Sequence, residues 1–302
     1  MDGKRVFPTV TDQHKNGKPL VPNGLGVLYV LFAIVYLFLL YFFGIGRSTS
    51  GGISAPLTLA VCILFGGFMG LLDDWMDLKW RYKAFMPLVA ALPLIYFAMH
   101  MPVRTSITLP FIGVLPFGEW YFYLIIPLIV MIVTNTVNML GGFNGLETIC
   151  PAIVLLGLMS ISALTSFSYC LLMIGPIIFW LLLGALNLKG KIFVGNSGSF
   201  AIGMTIASFA IIADVKLGLL FSIVPYVFNS SLILLTVFFT RKKALITFKD
   251  DKLESSHKRS LVTLITYRRP LSERKIVAIV SIIVATFTLL AFLYSFISLI
   301  LV

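Results

Sequence analysis

The chain has 302 residues, 59% of them hydrophobic and 12% charged, with a formal net charge of +11 and a mean hydropathy of +1.02. A soluble domain is closer to half apolar and a quarter charged, so both a compact soluble domain and a disordered chain are excluded. What remains is an all-α polytopic integral membrane protein. Setting aside about 90 residues of polar loop leaves room for about nine helices of about 20 residues, and 1–302 is expected to form one transmembrane domain. The apolar stretches are continuous rather than alternating, which excludes a β-barrel.

The N-terminal stretch MDGKRVFPTVTDQHKNGKPL is polar and lacks an apolar signal-peptide core, so insertion is expected to proceed through the spans themselves. Spans are predicted at 24–43, 55–72, 84–99, 120–139, 148–164, 169–186, 199–213, 217–239 and 276–301. An odd number places the termini on opposite sides. With the N-terminus in the cytosol, 20 of the 23 Lys and Arg fall on inner segments, about 1–23, 73–83, 140–147, 187–198 and 240–275. Only Arg47, Arg104 and Lys216 fall outside. The positive charge is thereby a topological signal, and no nucleic-acid partner is expected. Ten of the twelve carboxylates also fall inside, the exceptions being Glu119 and Asp214. The long outer loop, 102–119, contains TSITLPFIGVLPFGE, whose alternation and Pro and Gly turns predict a small β-hairpin. Cys62, Cys150 and Cys170 lie in or beside apolar runs and are expected to be core residues.

The chemically capable residues thus gather at the inner face, as expected of a groove open to the cytosol. The first group is Asp73, Asp74 and Asp77, in GLLDDWMDLKWRYK. Asp73 and Asp77 are one helical turn apart, at a helix C-terminus where the dipole disfavours negative charge. They require a cation. Paired with Lys79, Arg81 and Lys83 they form an interfacial charge cluster; otherwise they hold a metal or phosphate, with Lys83 as a phosphate ligand. Carboxylates at membrane helices favour the second reading.

Next come Asn135 and Asn138, in VTNTVNMLGGFNGLE, at i and i+3 near the inner end of the fourth span. Interhelical hydrogen bonding explains such asparagines, as does a site at the depth of the aspartates. Gly141 and Gly142 are expected to end that helix, and Asn144 and Glu147 have capping-box spacing for the next. Residues 193–199, FVGNSGS, open the seventh span with backbone N–H groups that suit either a phosphate or an Asn or Ser N-cap. Arg241, Lys242 and Lys243 begin a basic loop that serves topology and attraction to anionic lipid, or grips a pyrophosphate. His14 and His257 lack a partner at zinc-ligand spacing, so no zinc site is expected.

In motif order, spacing and membrane side, DDWMDLKWRYK (73–83), NTVNMLGGFNGLE (135–147), FVGNSGSFAIGM (193–204), the basic cluster and RPLSERK (269–275) resemble the polyprenyl-phosphate N-acetylhexosamine-1-phosphate transferases (glycosyltransferase family 4). The pattern is closer to the eukaryotic and archaeal dolichyl-phosphate branch than to the bacterial phospho-MurNAc-pentapeptide branch. The resemblance implies transfer of N-acetylglucosamine-1-phosphate, or a related sugar phosphate, from a UDP-sugar to a polyprenyl or dolichyl phosphate, releasing UMP. It implies Mg²⁺, with Mn²⁺ as an alternative, and allows a homodimer among membrane lipids. An archaeal-type cell membrane is the expected location, with the endoplasmic reticulum as the alternative.

By resemblance, Asp73 and Asp74 match the aspartate pair lying against the lipid phosphate and metal, with Asp77 completing the cluster. Lys83 matches a diphosphate-binding lysine, Asn138 a Mg²⁺ ligand, and Asn135 its support. Asn144 with Gly142 and Glu147 matches the uracil-binding loop, Phe193 the aromatic stacked on uracil, and Arg241–Lys243 the sugar-phosphate motif. Asn196 stands where the family commonly has Asp as second metal ligand, so weaker Mg²⁺ binding is expected. The basic cluster lacks the family's histidine, and nine spans stand against the usual ten. The rival readings are an inactive relative, suggested by Asn196, and a transporter or lipid flippase. A transporter should carry its ionisable residues at mid-membrane, not at the inner interface.

Overall fold

In a bilayer, a long apolar run can satisfy its backbone groups only within a helix or a closed barrel, and this chain forms helices. The computed structural model describes residues 7–46, 53–109, 112–241 and 245–301. An antiparallel ribbon of β1 (Thr9–Thr11) and β2 (Leu20–Pro22) leads into α1 (Gly26–Phe42). α2 (Ala55–Met76), α3 (Trp80–Ala90) and α4 (Leu92–His100) follow, then the hairpin of β3 (Ser106–Leu109) and β4 (Gly113–Pro116). A π-helical turn, Tyr121–Ile125, runs into α5 (Ile126–Met139), and α6 (Leu146–Thr165), α7 (Phe167–Leu188) and α8 (Gly195–Ile212) come next. Then come α9 (Lys216–Ser222), α10 (Val224–Thr240), a ribbon of β5 (Thr247–Lys249) and β6 (Lys252–Glu254), the short α11 (Leu261–Ile265) and finally α12 (Glu273–Leu301).

Among the described residues, seven helical segments are long and apolar enough to cross a membrane, α3 and α4 counting as one. The pair α9 and α10 makes an eighth, and α1, an apolar helix of 17 residues, occupies the first predicted span. The chain is an integral, multi-pass membrane protein. All nine predicted spans have helical counterparts, with two corrections. Span 217–239 is bent by 51° at Ile223, because Pro225 lacks an N–H and its ring crowds the preceding turn. Span 84–99 starts earlier, at Trp80, and breaks at Ala91 ahead of Pro93.

The predicted outer hairpin is present, pairing Ser106 with Pro116 through Leu109 with Gly113. Two further ribbons were not expected, both at the opposite end of the bundle. In β5–β6 the connection is Asp250-Asp251, both in the left-handed region (φ 50 and 57). This is a type I′ turn built from two residues that tolerate positive φ.

α8 is the hub: 89% of its apolar window is buried, against 33–56% for the other spanning helices. Small residues let its neighbours approach, as is usual between membrane helices. At Gly70 of α2 the approach is very close: a Cβ there would lie 2.1 Å from the carbonyl oxygen of Asn196. That contact puts the last turn of α2 beside the first turn of α8. The three cysteines are buried and unpaired in the helical core.

Side-chain contacts sort the connections into two ends. At one end meet the N-terminal ribbon, the α2–α3 turn, the loops after α5 and α7, and the start of α12. At the other, the segment before β3 joins the start of α9, near the C-terminal turns of α6 and α12. This is the alternation that nine crossings require.

Candidate active site

The two adjacent aspartates at the end of α2 serve different neighbours. Asp73 is 4% exposed, accepts the Leu78 N–H at 3.1 Å and pairs with Lys83 Nζ at 2.7 Å. Its other oxygen, Oδ2, is buried without a hydrogen bond. Asp74 reaches α8 instead, accepting the N–H groups of Asn196 and Ser197, both at 3.0 Å. Asp77 closes α2 in the left-handed conformation (φ 45), exposed, 3.7 Å from Lys83. Of the three cations expected to pair with this cluster, Lys83 is the one that does so.

Asp74 alters the reading of residues 193–199. The first N–H groups of α8 are held by a carboxylate from α2, so they are not open to a phosphate. Neither Asn196 nor Ser197 is the N-cap; Val194 holds that position without a side-chain cap bond. The orphan donors of the helix start are satisfied across the helix interface rather than locally.

The asparagine pair of α5 divides similarly. Asn138 Oδ1 accepts the Ser199 hydroxyl at 2.6 Å. Asn135 donates to the carbonyls of Ala84 at 3.2 Å and Met131 at 2.9 Å. It therefore fastens α3 to α5 one residue from Lys83. Four contacts now close a ring: Asp73 to Lys83 joins α2 to α3, Ala84 to Asn135 joins α3 to α5, Asn138 to Ser199 joins α5 to α8, and Asn196 with Ser197 to Asp74 joins α8 back to α2.

Beside the ring, the loop after α5 is not held as a capping box. α6 starts after Gly145, in the left-handed region at φ 94, without a side-chain cap. Asn144, 5% exposed, instead donates its backbone N–H to Glu273 at 2.8 Å and its side-chain amide to Asp12, also at 2.8 Å, and to Glu273. Its amide oxygen is buried without a partner. Glu147 accepts from Asn187 Nδ2 at 3.0 Å and from the Val194 N–H at 3.3 Å. Gly142 is exposed at φ 100. Phe193 is half-buried; its N–H binds the Pro22 carbonyl at 2.8 Å and its carbonyl accepts the Leu25 N–H at 3.3 Å. Arg241 ends α10 in the left-handed conformation (φ 51), exposed to solvent. Lys242 and Lys243 lie outside the described residues.

Five residues of this region were not singled out as site candidates in the sequence. Ser199 and Glu273 lie within recognised motifs. Asn187, an asparagine at the inner end of a span, carried the same depth signal as Asn138. Asp12 and His14 carried no local signal; folding brings them over Asn144 and Phe143, with the His14 ring stacked 4.5 Å from that of Phe143.

Burial lowers the His14 pKa, although the charges of Glu273 and Asp12 oppose the shift. Burial of Asp12 raises its pKa, but hydrogen bonds from Asn144 and the His14 N–H, together with Lys15, lower it overall. A histidine with a depressed folded pKa contributes stability that is fully present above the ordinary value of about 6.5 and is lost as pH falls through it. The corresponding Asp12 loss begins below its ordinary value of about 3.9. Between about pH 7.5 and about pH 5.5 the thermal midpoint of the wild type should therefore drop relative to that of His14→Phe, which keeps the stack. Parallel pH profiles for the two proteins would refute this role.

Among the described residues no cluster of three His, Cys, Asp or Glu could by itself cage a metal. The available donors are hard oxygens, including the free Asp73 Oδ2 and the amide oxygen of Asn138. Such a set fits Mg²⁺, which keeps several waters and completes its octahedron with substrate phosphates.

The sequence profile described as "Glycosyl transferase family 4" matches residues 56–214. A protein of Sulfolobus acidocaldarius, provisionally named UDP-N-acetylglucosamine–dolichyl-phosphate N-acetylglucosaminephosphotransferase, is 32% identical over 74% of this chain and 68% of its own length. The enzyme of that name from Dictyostelium discoideum is 27% identical over 73% of this chain and 63% of its own. A phospho-N-acetylmuramoyl-pentapeptide-transferase of Streptococcus agalactiae serotype Ia is 31% identical over 70% of this chain and 67% of its own.

Proposed function

The chain belongs to glycosyl transferase family 4, and on that footing we propose that it transfers N-acetylglucosamine-1-phosphate from UDP-N-acetylglucosamine to a polyprenyl phosphate of the dolichyl type. An oxygen of the lipid phosphate attacks the sugar-bearing phosphorus. The bond between the two phosphates breaks, UMP departs with that electron pair, and the lipid carries the sugar through a diphosphate. The lipid phosphate is already ionised, so no strong base is required. Phosphoryl transfer then depends on positioning and charge stabilisation.

The observation that carries this reading is the four-helix ring. It sets Lys83, two aspartates and Asn138 around one spot at the end of the bundle where the polar loops converge. Lys83, held by Asp73, supplies positive charge to the diphosphate. Asn138, Asn196 and the aspartate pair are the residues that would hold Mg²⁺, which when bound neutralises the diphosphate and makes UMP a better leaving group. Asn144, Gly142, Glu147 and Phe193 form the nucleotide side, closed by Asp12, His14 and Glu273. Arg241, Lys242 and Lys243 are assigned to the sugar phosphate from their place in the sequence. The twenty inner cations support a cytosolic position for this end by the positive-inside rule.

The lipid has a path as well. An apolar groove of about 510 Å³ runs along α5, α9 and α10 at the bend, lined by Ile132, Val133, Ile223, Val227 and Phe228. Val133 is about 7.5 Å of helix rise from Asn138, so a chain lying there delivers its phosphate to the ring. The deciding assay is UMP release from UDP-N-acetylglucosamine by membranes holding the full chain, dolichyl phosphate and Mg²⁺. Absence of release with any polyprenyl phosphate would favour the inactive relative.

Asn196→Asp tests the metal assignment without reference to turnover. The new carboxylate joins Asp74 at the first turn of α8, where the helix dipole favours negative charge but the like charge of Asp74 opposes it. The variant should be less stable than wild type without metal, and Mg²⁺ should raise its thermal midpoint more than that of wild type, because a carboxylate binds a hard dication better than an amide. Equal Mg²⁺ responses would remove residue 196 from the ligand set.

A further inference from the structure

At the end of the bundle opposite the ring, a cavity of about 380 Å³ opens between the β3–β4 hairpin, the C-terminal turns of α6 and α12, and the start of α9. Three charged side chains line it. Asp214, left-handed at φ 54 just beyond α8, pairs with Lys216 at 2.6 Å and with Nε of Arg104. Lys216 is 4% exposed; it also donates to the Arg104 carbonyl and sits 4.7 Å over the Tyr121 ring. Its ammonium is fully engaged, and its charge is answered by Asp214.

Arg104 differs. Asp214 fixes it through Nε alone, and its side chain is 71% exposed. Its two terminal amino groups retain four N–H donors in a rigid planar fork, the geometry that grips phosphate bidentately. The described lining therefore has an excess of one positive charge, carried by a guanidinium already oriented by its carboxylate. The rest of the wall is amphipathic: Ile107, Ile161 and Leu164 on one hand, Thr108 and Ser298 on the other. Because the cavity is framed by the ends of spanning helices, it lies at the level of the lipid headgroups.

We propose that this cavity binds a phosphate-ester anion on the Arg104 fork, the ligand being the headgroup of an anionic membrane lipid whose first methylenes lie against the apolar wall. A lipid so held would pin the hairpin to α9 and α12. The site is separate from the transfer reaction and does not depend on it.

The test uses the full chain in a neutral detergent. Its thermal midpoint is followed by tryptophan fluorescence during titration with phosphatidylglycerol or, separately, inorganic phosphate. Phosphatidylglycerol should raise the midpoint by a few degrees, as binding to the native state alone requires, and Arg104→Gln should abolish most of that rise. Because Arg104→Gln also strips Asp214 of a partner, Ser298→Phe provides the second variant: it fills the cavity, leaves all three charges in place, and should abolish the rise too. An equal, Arg104-dependent rise with inorganic phosphate would support the site with a soluble phosphate as its ligand. A rise that survives both variants, or no rise from either source, would overturn the proposal.

Discussion

Lys83→Ala is expected to lower UMP-forming turnover at least a hundredfold, the size of effect seen when one preorganised charge-stabilising group is lost. Two consequences of the geometry combine in this variant. In the role proposed for Lys83 the diphosphate loses a cation, and Asp73, buried at the end of α2, loses its ion-pair partner. Asp74→Asn should be comparably damaging for a different reason. The carboxylate accepts two N–H groups, one on each oxygen. An amide can offer one acceptor and must turn an NH₂ toward the other N–H, so the first turn of α8 loses its alignment with Asn138. Measuring turnover and thermal midpoint together separates chemistry from folding. Near-normal rates in both variants would leave these residues with a structural role alone.

Asn187→Leu should have the largest effect on stability, a loss of about 3 kcal/mol or more. Asn187 is fully buried and all four of its hydrogen-bonding positions are used. Its oxygen accepts the Gly145 N–H at 2.7 Å and the Thr148 hydroxyl at 3.1 Å; its amide donates to Glu147 at 3.0 Å and to the Ile192 carbonyl at 2.9 Å. Leucine fills the same space but leaves Gly145 and Ile192 unsatisfied and removes one of the donors to Glu147. The penalty of a buried polar group left without its partner exceeds the net worth of the bond itself. Since Asn187 joins the end of α7 to the start of α6, KM for the UDP-sugar should rise with the loss of stability. A midpoint within about 2 °C of wild type would contradict this account.

Much of the fold was legible because hydropathy alone determines where a bilayer helix runs. The spans at 55–72 and 120–139 differ from their helices by a few residues at most. The β3–β4 hairpin was legible from alternation between turn residues. The bend at Ile223 was signalled by Pro225 but outweighed by an unbroken apolar run. The β1–β2 and β5–β6 ribbons were not legible: three-residue strands carry too little pattern to stand out from polar loop.

The site divides in the same way. Depth and charge placed Asp73, Lys83 and Asn138 at one face, but could not assign partners. That Asp73 turns to α3 while its neighbour Asp74 turns to α8 follows from the close approach at Gly70, a tertiary fact. The capping-box expectation at Asn144 and Glu147 failed because long-range partners, Asp12, Glu273 and Asn187, outcompete the local bonds that the spacing suggested.

The bonds at Asn144 also set an order of events during synthesis. Its partners lie 132 residues before it and 129 after it. A growing chain on the ribosome can join Asn144 to Asp12 once α5 has been threaded. Glu273 opens α12, so the second bond must wait until the start of that helix has been made. Until then the amide of Asn144 has one of its two carboxylate partners. Chains released before α12 is made lack this clasp, so the packing around Asn144 is completed only once the start of α12 has been synthesised.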